Sequence, residues 1–375
     1  MSAEPIKLKD YDFHGFAMNG ALAGEEVQVA HRAMLTSDSP AFYVFMRGVC
    51  DSLADAAHAA GVLIQPDHVS HLLLVIHTGR TADLYLGNFA MTLELMAKKD
   101  ITAGQAVSEA DIADIRRLRL HDVKLDPSDK VLICFKVNWK FGLYFDLGDE
   151  EPLDMNGLER DLGHLYRLLR FEAAYDALAD ENFVARFFAG GWFPFVEIFG
   201  PESERLLKAW RLDFNIAGEE EALLRRFDAA RIDAIAARWA AHPTLGPHAA
   251  VLNSGLEAFK RGDAVASLKV ILTEIEGVLR NAHMAENGAS AKIGQLLAFA
   301  AQRGLRKTES EASLFFPALF LRYLTTSTFA AFDPMAPTSD ASRHSVGHGA
   351  ANAGAYTQKR ALQAILTLDQ IARYL

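Results

Sequence analysis

Apolar residues change their spacing along this chain, and the changes divide it. Residues 22–64 read as helical: Glu25, Glu26 and Val27 open a segment that runs through His31-Arg32-Ala33-Met34, and a second helix fits 41–60 and stops at Gly61. From Val69 the pattern turns into short apolar runs bounded by turn residues. Leu72-Leu73-Leu74-Val75-Ile76 and Ala82-Asp83-Leu84-Tyr85-Leu86, joined through Thr78-Gly79-Arg80, predict one β-hairpin. A second hairpin is expected over 131–137 and 139–146, turning at Asn138. Its return strand alternates, with Trp139, Phe141, Leu143 and Phe145 on one face and Lys140, Gly142, Tyr144 and Asp146 on the other, which predicts a half-buried antiparallel strand. Between the hairpins, Ser108-Glu109-Ala110-Asp111 has the form of a capping box ahead of Ile112 and Ile115, so a short helix is expected to interrupt the sheet.

From Leu158 onward the period is almost entirely helical, as in Asp161-Leu162-Gly163-His164-Leu165-Tyr166-Arg167-Leu168-Leu169. Gly190-Gly191-Trp192-Phe193-Pro194-Phe195 breaks it with a tight turn whose aromatic rings are expected to lock helices to the sheet. A helix over 219–241 carries Arg225, Arg226, Arg231 and Arg238 among Glu219, Glu220, Asp228 and Asp233, the composition of a solvated, salt-bridged face. His242-Pro243-Thr244-Leu245-Gly246-Pro247 cannot continue a helix and is read as a junction. Helices are then expected at 251–261, 264–285, 289–303, 314–332 and 356–375, with a long loop rich in Gly, Ser, Ala and Pro at 333–354. Val265, Leu268, Leu272, Ile275 and Leu279 form one apolar stripe, and Leu362, Ile365, Leu366, Ala372 and Leu375 another. The fold class that results is α+β: an N-terminal module with two antiparallel β-hairpins plus helices (1–150), a helical middle (151–245) and a C-terminal helical bundle (246–375).

Half of the 375 residues are apolar, ample for one or two cores, and the formal charge of −10 argues against a broad basic surface for coating nucleic acid. Any contact with RNA or DNA is expected to be local. Cys50 and Cys134 are the two cysteines, too few for a disulfide scaffold and without the spacing of a zinc site; both are read as packing residues. The first residues lack the apolar core of a signal peptide, and no run approaches the roughly 18 apolar residues of a membrane span. A cytoplasmic protein with no membrane contact is therefore expected.

Candidate chemistry concentrates in Ser342-Arg343-His344-Ser345-Val346-Gly347-His348-Gly349, which places a guanidinium and two imidazoles just before the last helix. Arg offers a planar fork for phosphate oxygens, and His exchanges a proton near neutrality. With Leu256-Glu257-Ala258-Phe259-Lys260-Arg261-Gly262-Asp263 upstream and Leu366-Thr367-Leu368-Asp369 downstream, this stretch resembles the HEPN superfamily, the higher-eukaryote and prokaryote nucleotide-binding domains, over about residues 246–375. The resemblance implies an all-helical bundle acting as a homodimer and a metal-independent ribonuclease site, with Arg343 in the family's Arg position, His344 in its polar position and His348 in its His position. It also implies RNA as a partner, no cofactor, and a role as a toxin or phage-defence effector, with the N-terminal module sensing a protein or ligand trigger. Members of the same superfamily that do not cut RNA imply the alternative, a non-catalytic RNA- or protein-binding scaffold whose bundle dimerises.

Two further readings of the same residues stay open. Arg343 and His348 can instead bond backbone carbonyls and cap the final helices. His344 and His348, four apart, would face one way on a helix as metal ligands do, although Gly347 and the lack of an intervening Glu count against it; His68, His71 and His77 are the nearest further candidates by type. No phosphate-binding Gly-x-x-x-x-Gly-Lys loop, dinucleotide turn or Gly-x-Ser-x-Gly elbow is present. Asp149-Glu150-Glu151 reads as solvated turn charge.

Overall fold

The computed structural model describes residues 4–87, 89–148, 152–331 and 342–375. They form two compact units: one of residues up to Leu95 together with Ile115–Glu172, the other of Met96–Asp114 with Ala173–Leu375. The acidic turn Asp149-Glu150-Glu151 lies outside the described residues. An N-terminal antiparallel sheet followed by a helical C-terminal half agrees with the α+β reading.

In the first unit the strands are β1 (Ile6–Lys9), β2 (Phe16–Ala17), β3 (Val29–Ala30) and β4 (Arg32–Thr36), followed by helix α1 (Pro40–Ala59). Then come β5 (His71–His77), β6 (Thr81–Leu86), β7 (Ala90–Ala97), β8 (Ile112–His121), β9 (Lys130–Val137), β10 (Lys140–Asp146) and helix α2 (Met155–Arg170). Six strands make one antiparallel sheet in the order β1-β6-β5-β9-β10-β4; β2 pairs with β3, and β7 with β8. Both expected hairpins are present, β5 with β6 and β9 with β10. Asn138 takes the left-handed conformation that its turn requires.

Alternation along the strands feeds two cores. Leu72, Leu74 and Ile76 join Cys134, Leu143 and Phe145 against Phe45, Val49 and Leu53 of α1, whereas Leu73, Val75, Ile133, Phe135 and Tyr144 meet Leu158, Leu162 and Leu165 of α2. Strand β10 is thus covered on both faces, not half-buried: Tyr144 is as inaccessible as Leu143, and Trp139 falls outside the strand, 89% exposed in the turn. Helix α2 approaches β8 so closely that a Cβ on Gly163 would stand 2.8 Å from the Arg117 Cα and 2.9 Å from the Arg116 carbonyl oxygen.

Two helices expected from the sequence are strands. Residues 32–36 pair with β10 (Leu35 with Leu143, Ala33 with Phe145), sending Ala33 and Leu35 into the α1 core and Met34 towards the α2 core. Tertiary pairing overrides the helix propensity of this stretch. The capping box Ser108/Asp111 forms, but it closes a single 3₁₀ turn at Glu109–Asp111, and the chain runs on as β8.

The second unit contains α3 (Glu172–Ala179), α4 (Glu181–Ala189), α5 (Pro201–Leu212), α6 (Ile216–Arg226), α7 (Ala229–Ala241), α8 (Ala249–Lys260), α9 (Ala264–Asn287), α10 (Ile293–Thr308), α11 (Pro317–Tyr323), α12 (Arg343–Gly347) and α13 (Gln358–Tyr374). The stretch His242–Pro247 lies inside this unit. A π-helical turn, Leu324–Thr328, extends α11. The helix expected over 219–241 is two helices, because Asp228 caps the N-terminus of α7 by accepting from the Arg231 amide. Trp192, Phe193 and Phe195 are fully buried, with Phe193 against Phe188, Phe320 and Tyr323, so these rings join helix to helix within the unit.

Helix α13 packs against α6, α7, α8, α9 and α10 and is buried on every side from Ala361 to Ala372, wider than the stripe its apolar residues suggest. Several of its polar groups bond within the unit. Gln363 donates to the Gly190 carbonyl, Gln370 accepts from the Val196 amide, and Asp369 accepts from Arg238 (2.9 Å), Arg373 (2.9 Å) and the Trp239 indole (3.1 Å). Arg238 and Arg373 also pair with Glu197, which with Glu202 holds Arg231. Arg231 and Arg238 therefore belong to a largely buried ionic network, not to a solvated face. Burial opposes the charge on Asp369, but Arg373 and Arg238 outweigh it and hold the carboxyl below its usual range.

Two stability outcomes follow from this packing. Gly163→Ala forces α2 off the β8 backbone and is expected to destabilise the first unit by about 1–3 kcal/mol, read as a lower urea midpoint. Asp369→Asn leaves two part-buried guanidinium groups sharing Glu197 alone and is expected to cost about 1–3 kcal/mol. A Tm within a degree of the parent in either variant contradicts the packing described.

Candidate functional site

The Arg-His motif, expected in a loop, begins with a short helix. Ser342 caps α12, accepting from the Ser345 amide at 3.2 Å, while the Ser345 hydroxyl accepts from the Ser342 amide at 2.9 Å, and both serines are buried. Ser342 and Ser345 were not singled out in the sequence, although their spacing is that of a helix start. The His348 amide closes onto the His344 carbonyl, and the Ala350 and Ala351 amides both return to the Ser345 carbonyl, so the turn after α12 is held by backbone. The earlier part of the expected loop, residues 333–341, lies outside the described residues.

Helix α12 lies on α9, which supplies a residue the sequence reading missed. Glu276 accepts from Arg343 at 2.7 Å with one oxygen and from Arg280 at 2.7 Å with the other. Arg280 is itself anchored to the Ala291 carbonyl at 3.1 Å. The signal was the Glu276/Arg280 pair at i, i+4, unremarkable alone; nothing local announces its third member, 67 positions after Glu276. Arg343 is thus engaged by a carboxylate rather than by a backbone carbonyl. Its Nε is buried and makes no hydrogen bond among the described residues.

His344 stands edge-on to Phe329, at the end of the π-helical turn, with ring centroids 6.0 Å apart. Its pKa is lowered from 6.5, first by burial and then by the positive charges of Arg343 and His348, against the opposing pull of Glu276. All three sequence-predicted residues therefore share one electrostatic neighbourhood: Arg343 oriented by Glu276, His344 kept neutral at pH 7, and His348 exposed at the end of α12. Chemically, this grouping offers a fixed cation, a proton acceptor and an accessible second imidazole.

The other histidines have separate surroundings. His77 bridges Asp129 (2.8 Å) and Asp83 (3.5 Å) at a strand end, and these carboxylates outweigh burial and raise its pKa. His71 meets Ser70 and the edge of Phe89, and burial lowers its pKa. No group of three or more His, Cys, Asp or Glu that could hold a metal ion occurs among the described residues. Among the same residues no helix is long and apolar enough to cross a membrane.

Comparison of the chain with protein-family models, with curated proteins and with solved structures finds no match.

An NMR titration of the His344 ring checks that geometry. The midpoint is expected below 6.5. Arg343→Gln removes a cation that disfavours the imidazolium and should raise it; Glu276→Gln removes a favourable anion and should lower it further. Shifts of the opposite sign would contradict the arrangement.

Proposed function

We infer that the helical unit is a metal-independent RNA endonuclease working at Arg343, His344 and His348. The observation that carries this reading is the shared field of the three groups, in which a neighbouring guanidinium and burial keep His344 unprotonated at neutral pH. A neutral imidazole is ready to take the proton of a ribose 2′-hydroxyl as that oxygen attacks the adjacent phosphorus. Arg343 donates to the phosphoryl oxygens as negative charge builds there, and His348, on the accessible side of α12, returns a proton to the departing 5′-oxygen. The requirement for a 2′-hydroxyl makes RNA the substrate and leaves DNA uncut.

Glu276 shapes this chemistry in two ways. Shared between Arg343 and Arg280, it leaves the three groups with one net positive charge, so an arriving phosphate still meets a cation. It also fixes the guanidinium that the phosphate must find, which removes part of the ordering cost. In a homodimer two such sites would converge on one groove, each copy supplying its own Arg343 and His348. A growth-arresting or defence role, triggered through the first unit, is the biological form this activity would take.

The same ion pair supports a second reading. An arginine already satisfied by a half-buried carboxylate can be a strut that pins α12 to α9, as in a scaffold whose bundle binds RNA or protein without cutting it.

Incubating the purified full chain with mixed tRNA and mRNA in EDTA separates the two. Cleavage is expected from the parent and is expected to fall about 100-fold or more in His348→Ala and in Arg343→Ala, with circular dichroism spectra unchanged. Cleavage that survives both substitutions, or none by the parent dimer, sinks the nuclease reading.

A further inference from the structure

The first unit holds a cavity of about 560 Å³, within the size range of small-molecule sites. It opens between one face of α1, the connection that leads from α1 to β5, and the part of the sheet face formed by Leu72, Cys134 and Phe141. Helical spacing explains the first wall. Phe42, Met46 and Cys50 recur every four residues, pointing one line of side chains at the sheet, and Tyr43, Arg47 and Asp51 form the parallel line at the mouth. The body of the cavity is consequently apolar and its mouth polar.

The charges at that mouth do not cancel. Arg47 lines the cavity together with two carboxylates, Asp51 on its own helix and Asp67 in the connection. The side chains of Arg47, Asp51 and Gln65 make no hydrogen bond or ion pair with other described residues, and the Asp67 side chain has only His68, 3.8 Å away and charged only when protonated. Arg47 and Asp51 sit one turn apart and offset each other, leaving Asp67 in surplus. The excess reaches the interior: after burial, Asp67 and Asp51 are what raise the Cys50 thiol, which lies deeper along the same helix face. A carboxylate ligand would meet a net negative charge here, whereas an ammonium meets a net opposite one, with the rings of Tyr43 and Phe42 lining the same cavity.

We propose that this cavity binds an amphipathic organic cation, an amine on an aromatic or short alkyl body, with the body among Phe42, Met46, Leu72 and Phe141 and the ammonium at Asp51 and Asp67. The proposal does not depend on the nuclease reading, since every lining residue belongs to the first unit and binding is measured without RNA.

Calorimetry on the full chain with phenylbutylamine, phenylbutanol and phenylbutyrate tests it, because the three share one apolar body and differ in head-group charge. The amine is expected to bind at least about tenfold tighter than the alcohol, with the acid weaker still. Asp51→Asn combined with Asp67→Asn should erase the preference for the amine while leaving the alcohol unchanged, and Met46→Trp should fill the cavity and abolish binding. Should Met46→Trp fail to fold, alkylation of Cys50 in the parent gives the second readout, slowed by the amine and not by the acid. Equal affinity for all three compounds, tighter binding of the acid, or no saturation by the amine at millimolar concentration overturns the proposal.

Discussion

One carboxylate without access to water organises the helical unit. Asp369 sits in the middle of a helix buried on all sides, and a lone charge there would be untenable. Arg238 and Arg373 reach it from α7 and from one turn along α13, and the Trp239 indole adds a neutral donor. Those guanidinium groups in turn require Glu197, which lies in the 3₁₀ turn after the aromatic break. A single charge on α13 thereby specifies the registry of α7, the turn at Val196–Ile198 and the last two turns of the chain. Apolar packing alone tolerates sliding by a turn; this set of directional bonds does not.

The sheet of the first unit obeys a different constraint. Helices cover both its faces, so its strands carry apolar residues at successive positions, and runs such as Leu72–Ile76 appear where a half-solvated sheet would alternate. This is why β5, β6 and β9 were legible in the sequence and the environment of β10 was not. On the α2 face of β10, Gly142 and Tyr144 differ in size rather than in polarity from the residues around them. Gly142 faces the α2 side as the small member because a Cβ there would lie 2.7 Å from Leu165, whereas Tyr144 fills the space beside it. Reading Gly142 and Tyr144 as solvent-facing followed from treating glycine and tyrosine as polar.

What escaped the sequence elsewhere has one common cause, partners far apart in the chain. Residues 32–36 are strand because β10, more than a hundred residues later, presents an open edge. Arg231 and Arg238 look like surface charges until Glu197, Glu202 and Asp369 arrive from other elements. Helix starts, by contrast, are local, and the caps at Asp263 and Thr357 sit where their side-chain chemistry puts them, although the equally local cap at Asp228 was passed over inside one expected helix. For the candidate site, the grouping of Arg343, His344 and His348 was visible as spacing, and the carboxylate that orients Arg343 was not.

That carboxylate also bears on how the two ionic centres of the helical unit differ. Around Asp369 each charge meets partners on several sides, an arrangement suited to holding helices in place. Around Glu276 the balance is incomplete: two guanidinium groups share one carboxylate, one of them keeps a buried Nε with no acceptor among the described residues, and an exposed imidazole stands at the other end of the same short helix. A buried donor without an acceptor costs free energy, and Trp210 Nε1 and Gln370 Nε2 are further such donors among the described residues. A phosphoryl oxygen placed against Arg343 would satisfy that donor and the surplus charge together, as the proposed ribonuclease chemistry requires.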